Sequence, residues 1–297
     1  MNLRQMEVFR AVMLAGGVVG AAELLHVSQP AVSKVLAQAA RQAGFALFER
    51  IRGRLVPTPE GEQLYQEIDA LWRGVERVRD VSRNLADPRS GSLRLGVSAS
   101  VATHLAPRAV ALLYEKFPRL KTHMEVLISP LMESTLLSRS VDLGVALQPN
   151  AHPTLTAVKT YACDLVCAMH ESHRLAARAL VRPSDLKGER LITSNAETPY
   201  GHALARAYGA QAEALHTDLE VRSSTMACWY AQARAGIAVV DRAAVAGQSF
   251  AGLVVRRFQS RERLHVAVLR NRDRPMSAVD RAFCAAFDTV WQEAMQS

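Results

Sequence analysis

The stretch Ala21–Gly61, AAELLHVSQPAVSKVLAQAARQAGFALFERIRGRLVPTPEG, constrains this chain more than any other. Ala21, Ala22, Leu24 and Leu25 recur at helical spacing and stop at His26 and Val27. Ser28 then stands at an N-cap position, and Gln29 and Pro30 open a second helix. That helix keeps Ala31, Val32, Val35, Leu36 and Ala39 for a buried side and turns Gln29, Ser33, Lys34 and Gln38 outward. A helix, a tight turn and a helix with such a polar face suits the major groove of double-stranded DNA. Glutamine can read adenine or guanine edges, serine a base or a phosphate, and lysine neutralises backbone charge. Leu47–Pro57 reads as two short strands turning near Gly53, with Arg50, Arg52 and Arg54 alternating onto one face to grip phosphates or a minor groove. A small helical core beside a solvated charged loop would share part of this pattern. The fragment SQPAVSK does not separate the two readings, whereas the whole run does.

Charge placement agrees with a polyanion partner. The chain of 297 residues carries a net charge of +8, and before Pro59 the cations Arg4, Arg10, Lys34, Arg41, Arg50, Arg52 and Arg54 face only Glu7, Glu23 and Glu49. A hydrophobic content of 49% over this length supports about two domains with their own cores. The first helix is interrupted by Glu7 and Arg10, so there is no secretory apolar segment and no run of membrane length; a cytoplasmic location with no membrane partner is expected. Cys163, Cys167, Cys228 and Cys284 form no CxxC framework and read as packing residues.

Pro59 opens a long helix that ends before Asp87. Leu64, Ile68, Leu71, Val75, Val78, Ser82 and Leu85 alternate steps of four and three along it, the seam of a coiled coil, with Trp72 beside it. The alternative is that the stripe packs on its own body. Three heptads with charged residues on the other faces favour a partner helix, and a dimer made this way would set two recognition helices on two half-sites. After Gly91 the pattern changes to alternating strands and helices. Strands are expected at Leu93–Ser98, Thr122–Ile128 and Leu143–Leu147, with helices at His104–Phe117 and Met132–Arg139. A second unit follows from Leu165, with strands around Leu191, Leu219 and Ala238, helices from Tyr200 and Thr225, the strand Leu264–Leu269 and a last helix Ala278–Met295. This order implies a largely parallel sheet, with ligands at the carboxyl ends of the strands.

The segments MNLRQMEVFRAV, AAELLHVSQPAVSK and LFERIRGRLVPTPEG resemble the winged helix-turn-helix of the LysR-type transcriptional regulators. Within that family, LFERIRGRLVPT, SSTMACWYAQARAGIAVVD and GLVVRRF are most similar to the activator of lysine biosynthesis, with opine- and arginine-responsive regulators next. The resemblance implies an α/β protein with an N-terminal winged helix-turn-helix (1–58), a long linker and dimerisation helix (59–91), and a two-lobed α/β effector domain like a periplasmic binding protein (92–297). Lobe I would hold about 92–163 and 268–297 and lobe II about 164–267, with crossovers near Cys163–Ala168 and Arg263–Leu269. It also implies promoter DNA, RNA polymerase and a small-molecule co-inducer as partners, a homodimer or homotetramer, and no cofactor besides the effector. Gly17 and Gly20 depart from the family's usual residues, as does Ala39-Ala40; these changes are expected to loosen packing and leave the readout residues untouched, an extra glycine near the start of a helix costing ~1 kcal/mol.

The expected DNA contacts are Ser28, Gln29, Pro30, Ser33, Lys34, Gln38, Arg50, Arg52 and Arg54. In the effector domain, Ser98, Ser100 and Thr103 sit where the first strand feeds a helix, and Ser223, Ser224 and Thr225 where another helix begins. Hydroxyls beside helix N–H groups suit a carboxylate, although plain N-capping is the competing role. By resemblance Ser129 and Asn195 join the rim. A diamino acid such as diaminopimelate would need acidic partners for its ammonium groups, for which Glu197 and Asp241, with Glu133, are the candidates. No G-x-S-x-G elbow, P-loop or GxGxxG element is present, and Cys167, His170 and His173 lack a second pair at zinc spacing, so enzyme readings rank behind a regulator or a stand-alone binding module.

Overall fold

The computed structural model describes residues 1–51, 53–86, 91–195, 197–214, 217–247 and 250–296. They divide into two compact units, Met1–Ser82 and Arg83–Ser297. The first contains α1 (Leu3–Ala15), α2 (Val18–Leu24), α3 (Gln29–Ala43), the hairpin β1 (Phe48–Ile51) and β2 (Arg54–Pro57), and most of α4 (Pro59–Ala86). Asn2 opens α1 with a capping box: its side chain accepts from the Gln5 amide at 3.0 Å while the Gln5 side chain takes the Asn2 amide at 2.8 Å. The turn after α2 is a Schellman closure made without glycine. His26 takes φ +54°, its amide reaches the Glu23 carbonyl, and the Val27 amide reaches the Ala22 carbonyl. Val8, Val12, Ala21 and Val32 pack where the three helices meet.

Gly20 does not loosen this packing as expected. A Cβ there would lie 3.0 Å from the Ala15 Cβ, so α2 approaches the end of α1 closely enough that a side chain at position 20 would have to push Ala15 aside by a few tenths of an ångström. Ala31, read as buried, is exposed; the buried side of α3 is narrower and rests on Val32 and Ala39.

The seam on α4 is divided between two uses. Ile68, 3% exposed, packs with Phe9, Ala39 and Leu47, and Leu64 joins the same cluster. Trp72 is buried with the Arg10 guanidinium 5.8 Å from its ring, and Arg10 also pairs with Asp69 at 2.9 Å. This part of the stripe therefore packs on its own body, against the expectation of a continuous seam for a partner helix. Leu71 and Val78 point away, 47% and 69% exposed. The side chains of Ser82 and Leu85 lie outside the described residues.

The second unit has two sheets. Lobe I contains β3 (Ser92–Val97), α5 (Ala99–Ala102), α6 (Leu105–Lys116), β4 (Lys121–Val126), α7 (Ser129–Leu137), β5 (Leu143–Leu147) and β6 (Leu155–Cys163). Lobe II follows with β7 (Leu165–His170), β8 (Leu180–Val181), β9 (Leu191–Ser194), α8 (Pro199–Tyr208), β10 (Thr217–Val221), α9 (Ser224–Gln232), β11 (Ile237–Asp241) and β12 (Leu253–Phe258). The chain then returns to lobe I in β13 (Leu264–Asn271) and α10 (Ala278–Gln296). The strand orders are β4-β3-β5-β13-β6 and β10-β9-β11-β7-β12-β8. β3 pairs parallel with β4 and β5, and β9 parallel with β10 and β11.

The sheets are mixed where a largely parallel arrangement was expected, because β13 runs antiparallel to both β5 and β6, and β7 antiparallel to β11 and β12. The first crossover is at Asp164. The second lies between Phe258 and Leu264 rather than within 263–269, since Leu264–Asn271 is paired with β6 along its whole length. One face of the lobe I sheet is covered by α6 and α10, which contribute Leu105, Leu113, Phe283 and Phe287 to the core; Met132 and Leu136 of α7 press on Gly96 and Gly144. On lobe II, α9 packs Ala227, Cys228 and Ala231 on β11.

Candidate functional site

In the first unit, the candidate contact surface is the start of α3 and the hairpin. Ser28 is the N-cap with extended backbone, yet its side chain makes no capping bond. Ser28, Gln29, Pro30, Ser33 and Lys34 are exposed, Gln38 is half-buried, and none of their side chains has a hydrogen-bond partner among the described residues. A row of unspent donors and acceptors on the first two turns of a helix can take up base edges and phosphates without first breaking protein bonds. The hairpin register differs from expectation. Arg50 pairs with Leu55 and Ile51 with Arg54, so positions 50 and 54 fall on opposite faces of the ribbon. Gly53, at φ +82°, supplies the left-handed residue of the turn. Arg50 is exposed; Arg52, and the side chain of Arg54, lie outside the described residues.

In the second unit a cleft of about 1100 Å³ lies between the lobes, at the carboxyl ends of β3, β5, β9 and β10. Ser98, Ser100 and Ser129 line it from lobe I and Asn195, Glu197 and Ser224 from lobe II. Local structure explains their positions. Ser98 directly follows β3 and its Oγ accepts the Leu147 amide at 2.8 Å. Ser129 opens α7, with its hydroxyl 3.3 Å from Glu133, which also accepts from Asn150 at 2.9 Å and so is occupied on its own lobe. Asn195 donates to Glu220 at 3.1 Å and accepts the Glu197 amide at 2.8 Å. The capping role belongs to neighbouring hydroxyls: Thr198 takes the Gly201 amide at the start of α8 and Ser223 the Met226 amide at the start of α9.

Three expected site residues fall elsewhere. Thr103 is the residue after α5 and does not line the cleft. Thr225 is turned toward lobe I, where its hydroxyl donates to the Ala99 carbonyl at 3.3 Å. Asp241 is not an acidic rim residue: it is fully buried at the end of β11, where it accepts from the Ser100 hydroxyl at 2.7 Å and the Ala244 amide at 3.0 Å. Burial pushes its carboxyl above the usual range, against the donors from Ser224 and Ser100. Ser224 also lies 3.1 Å from the hydroxyl of Tyr200, whose own pKa burial raises.

The cleft's cations were not read from the sequence. Arg222, His202 and Arg206 line it from lobe II. Arg206 pairs with Glu262 at 2.6 Å, whereas Arg222 is exposed and has no partner among the described residues. The position of Arg222, one residue past β10 and beside the capping Ser223, was the available signal. Opposite, Gln148 holds a left-handed backbone at φ +47° and ties β5 to β13 by accepting the His265 amide at 2.7 Å. Glu197, exposed on the cleft wall, supplies negative charge. Cys167 is buried in β7 and His173 caps a short 3₁₀ turn while its other nitrogen meets Glu189 at 3.1 Å, so the Cys/His trio is not brought together. Burial pushes the Cys284 thiol up to about 11.

Both units match one family along the chain. The family described as "Bacterial regulatory helix-turn-helix protein, lysR family" matches residues 3–62, and the "LysR substrate binding domain" matches residues 86–292. The chain belongs to the LysR family. It is similar to the transcriptional activator protein LysR of Escherichia coli, 32% identical over 95% of this chain and 91% of that protein. It is also 31% identical to the octopine catabolism/uptake operon regulatory protein OccR of Rhizobium meliloti, over 81% of this chain and 80% of that protein. Full-length CbnR, solved in complex with its target DNA, shares the fold with a TM-score of 0.78 at 20% identity, covering 98% of this chain and all of that one. As a LysR-family member the protein is a DNA-binding transcriptional regulator with an effector-binding domain, not an enzyme. Among the described residues no helix is long and apolar enough to cross a membrane.

Proposed function

We propose that this regulator is an effector-responsive activator of amino-acid metabolism, and that the inter-lobe cleft takes a small amino-acid-like carboxylate, with diaminopimelate the leading candidate. The observation that carries the ligand class is the pairing of opposite charges on one wall: Arg222, which has no partner among the described residues, suits a carboxylate and Glu197 an ammonium group, with the hydroxyl-bearing wall of lobe I facing them. The lysine-pathway assignment is supported by the motifs shared with the activator of lysine biosynthesis. In the promoter complex a dimer or tetramer, joined through the exposed part of α4, presents paired α3 helices to two half-sites, and effector binding changes the angle between lobes.

Calorimetry on the full chain with diaminopimelate, lysine, octopine, arginine and succinate tests the reading. Binding of a diamino acid, weakened about tenfold or more by Arg222→Gln and by Glu197→Gln as charged partners are lost, is expected. Binding of succinate alone would remove the ammonium role of Glu197, and octopine alone would move the assignment to the opine-responsive branch. Heat from none of them would retire the ligand class.

A further inference from the structure

Behind the cleft the two lobes are fastened by side chains. Ser100, on α5 of lobe I, is 3% exposed and donates its hydroxyl proton to Asp241 of lobe II. Asp241 has no exposed surface and no ion-pair partner among the described residues; on its own lobe it is held by the Ala244 amide. Thr225 returns the link in the other direction, to the Ala99 carbonyl. Beside them the ring of His104 from lobe I lies against the Gly247 backbone, where a Cβ would meet Nε2 at 2.0 Å.

A buried carboxylate without a cation is costly unless its acceptor sites are filled. Here one filling donor comes from the opposite lobe, so parting the lobes would strip Asp241 of that bond. A serine hydroxyl has one proton to give. Ser100 reaches the cleft as well as Asp241, so an anion that accepts from it takes that hydrogen bond from the latch.

We propose that Asp241 is a positioning residue, a latch that fixes the angle between the lobes through Ser100 and is opened when a cleft ligand accepts the Ser100 hydrogen bond in its place. The opening step rests on the cleft being the effector site; the latch itself does not, and its test uses no effector.

Hydrogen exchange of the full, ligand-free chain reads the latch directly. Ser100→Ala should speed exchange at residues 99–103 and 242–246 by about tenfold or more, the effect of losing a hydrogen bond to a charged acceptor, while β3, β9 and β11 keep wild-type protection. Asp241→Asn should affect the same two segments, and Thr225→Val, which keeps the shape of the side chain, should affect 99–103 less. Unchanged exchange at both segments in Ser100→Ala would overturn the latch. Faster exchange spread through β9 and β11 in Ser100→Ala would also overturn it, by showing a contribution to lobe stability with no specific hold on the lobe angle. If Asp241→Asn loosens all of lobe II, Ser100→Ala still decides, because it leaves the Ala244 bond to Asp241 in place.

Discussion

Leu71→Asp should leave each protomer folded and prevent it from pairing. Leu71 and Val78 expose 47% and 69% of their surface, while Ile68 on the same stripe is sealed inside its own protomer. Fully burying an aliphatic side chain of this size contributes about 1.5–3 kcal/mol, so covering what Leu71 exposes contributes about 0.7–1.4 kcal/mol and what Val78 exposes about 1–2 kcal/mol. Over both protomers that is about 3.5–7 kcal/mol, or about two and a half to five powers of ten in dimer affinity. Aspartate at position 71 removes the Leu71 share and sets two carboxylates into the helix pair, at a further cost of several kcal/mol if they are desolvated and unpaired. Sedimentation at micromolar concentration, with thermal unfolding beside it, checks the result. A Leu71→Asp protein that sediments as the wild-type dimer and binds its operator normally would show that the outer face of α4 is not the pairing surface.

Ile68→Ala, by contrast, opens a cavity among Phe9, Ala39 and Leu47 and should cost about 2–5 kcal/mol of stability in the first unit, seen as a lowered Tm; a change under ~1 kcal/mol would contradict that packing. Gln29→Ala should lose about 1–3 kcal/mol on a specific operator and little on random duplex, and equal losses in a binding titration would remove its base-reading role. Lys34→Ala should weaken both duplexes and reduce the salt slope by about one, which a titration across salt concentrations measures. For Asp241, a carboxyl whose pKa is raised in the folded state contributes stability that is complete below its unfolded value, here 3.8, and is lost as pH rises through the folded value. Asparagine has no such slope. The stability gap between wild type and Asp241→Asn should therefore narrow as pH rises from about 4 in urea unfolding, and a widening gap would show that burial does not dominate.

The helix-turn-helix was legible because its signals are local: the apolar spacing of α2, the Ser28 N-cap position and Pro30 at the start of α3 lie within a few residues. Ala31 was misplaced because the spacing of apolar residues does not reveal how narrow the contact with α1 and α2 is. The hairpin arginines were put on one face because parity was counted through the turn, whereas facing positions are set by the pairing Ile51 to Arg54. In the second unit, β6 and β12 went unread because each finds its partners far along the chain, β6 against β13 and β12 against β7. The same limit applies to the cleft. Ser98, Ser100 and Ser224 were found from strand-to-helix junctions, but no local pattern tells that Asp241 is buried behind them, whereas Arg222, one residue past β10, stood at such a junction and was passed over. The stripe on α4 could not divide itself in advance, since only the position of Phe9 and Leu47 determines which of its residues are covered.

The most direct test of a ligand-tuned, dimeric DNA reader is selection of duplexes from a random pool by the full chain, followed by measurement of the bend in the selected DNA with and without diaminopimelate. Enrichment of a roughly two-fold symmetric site, lost with Gln29→Ala, and a ligand-dependent change in bend are expected. No sequence enrichment, or enrichment unaffected by Gln29→Ala and a bend unchanged at ligand concentrations that saturate the cleft, would contradict it.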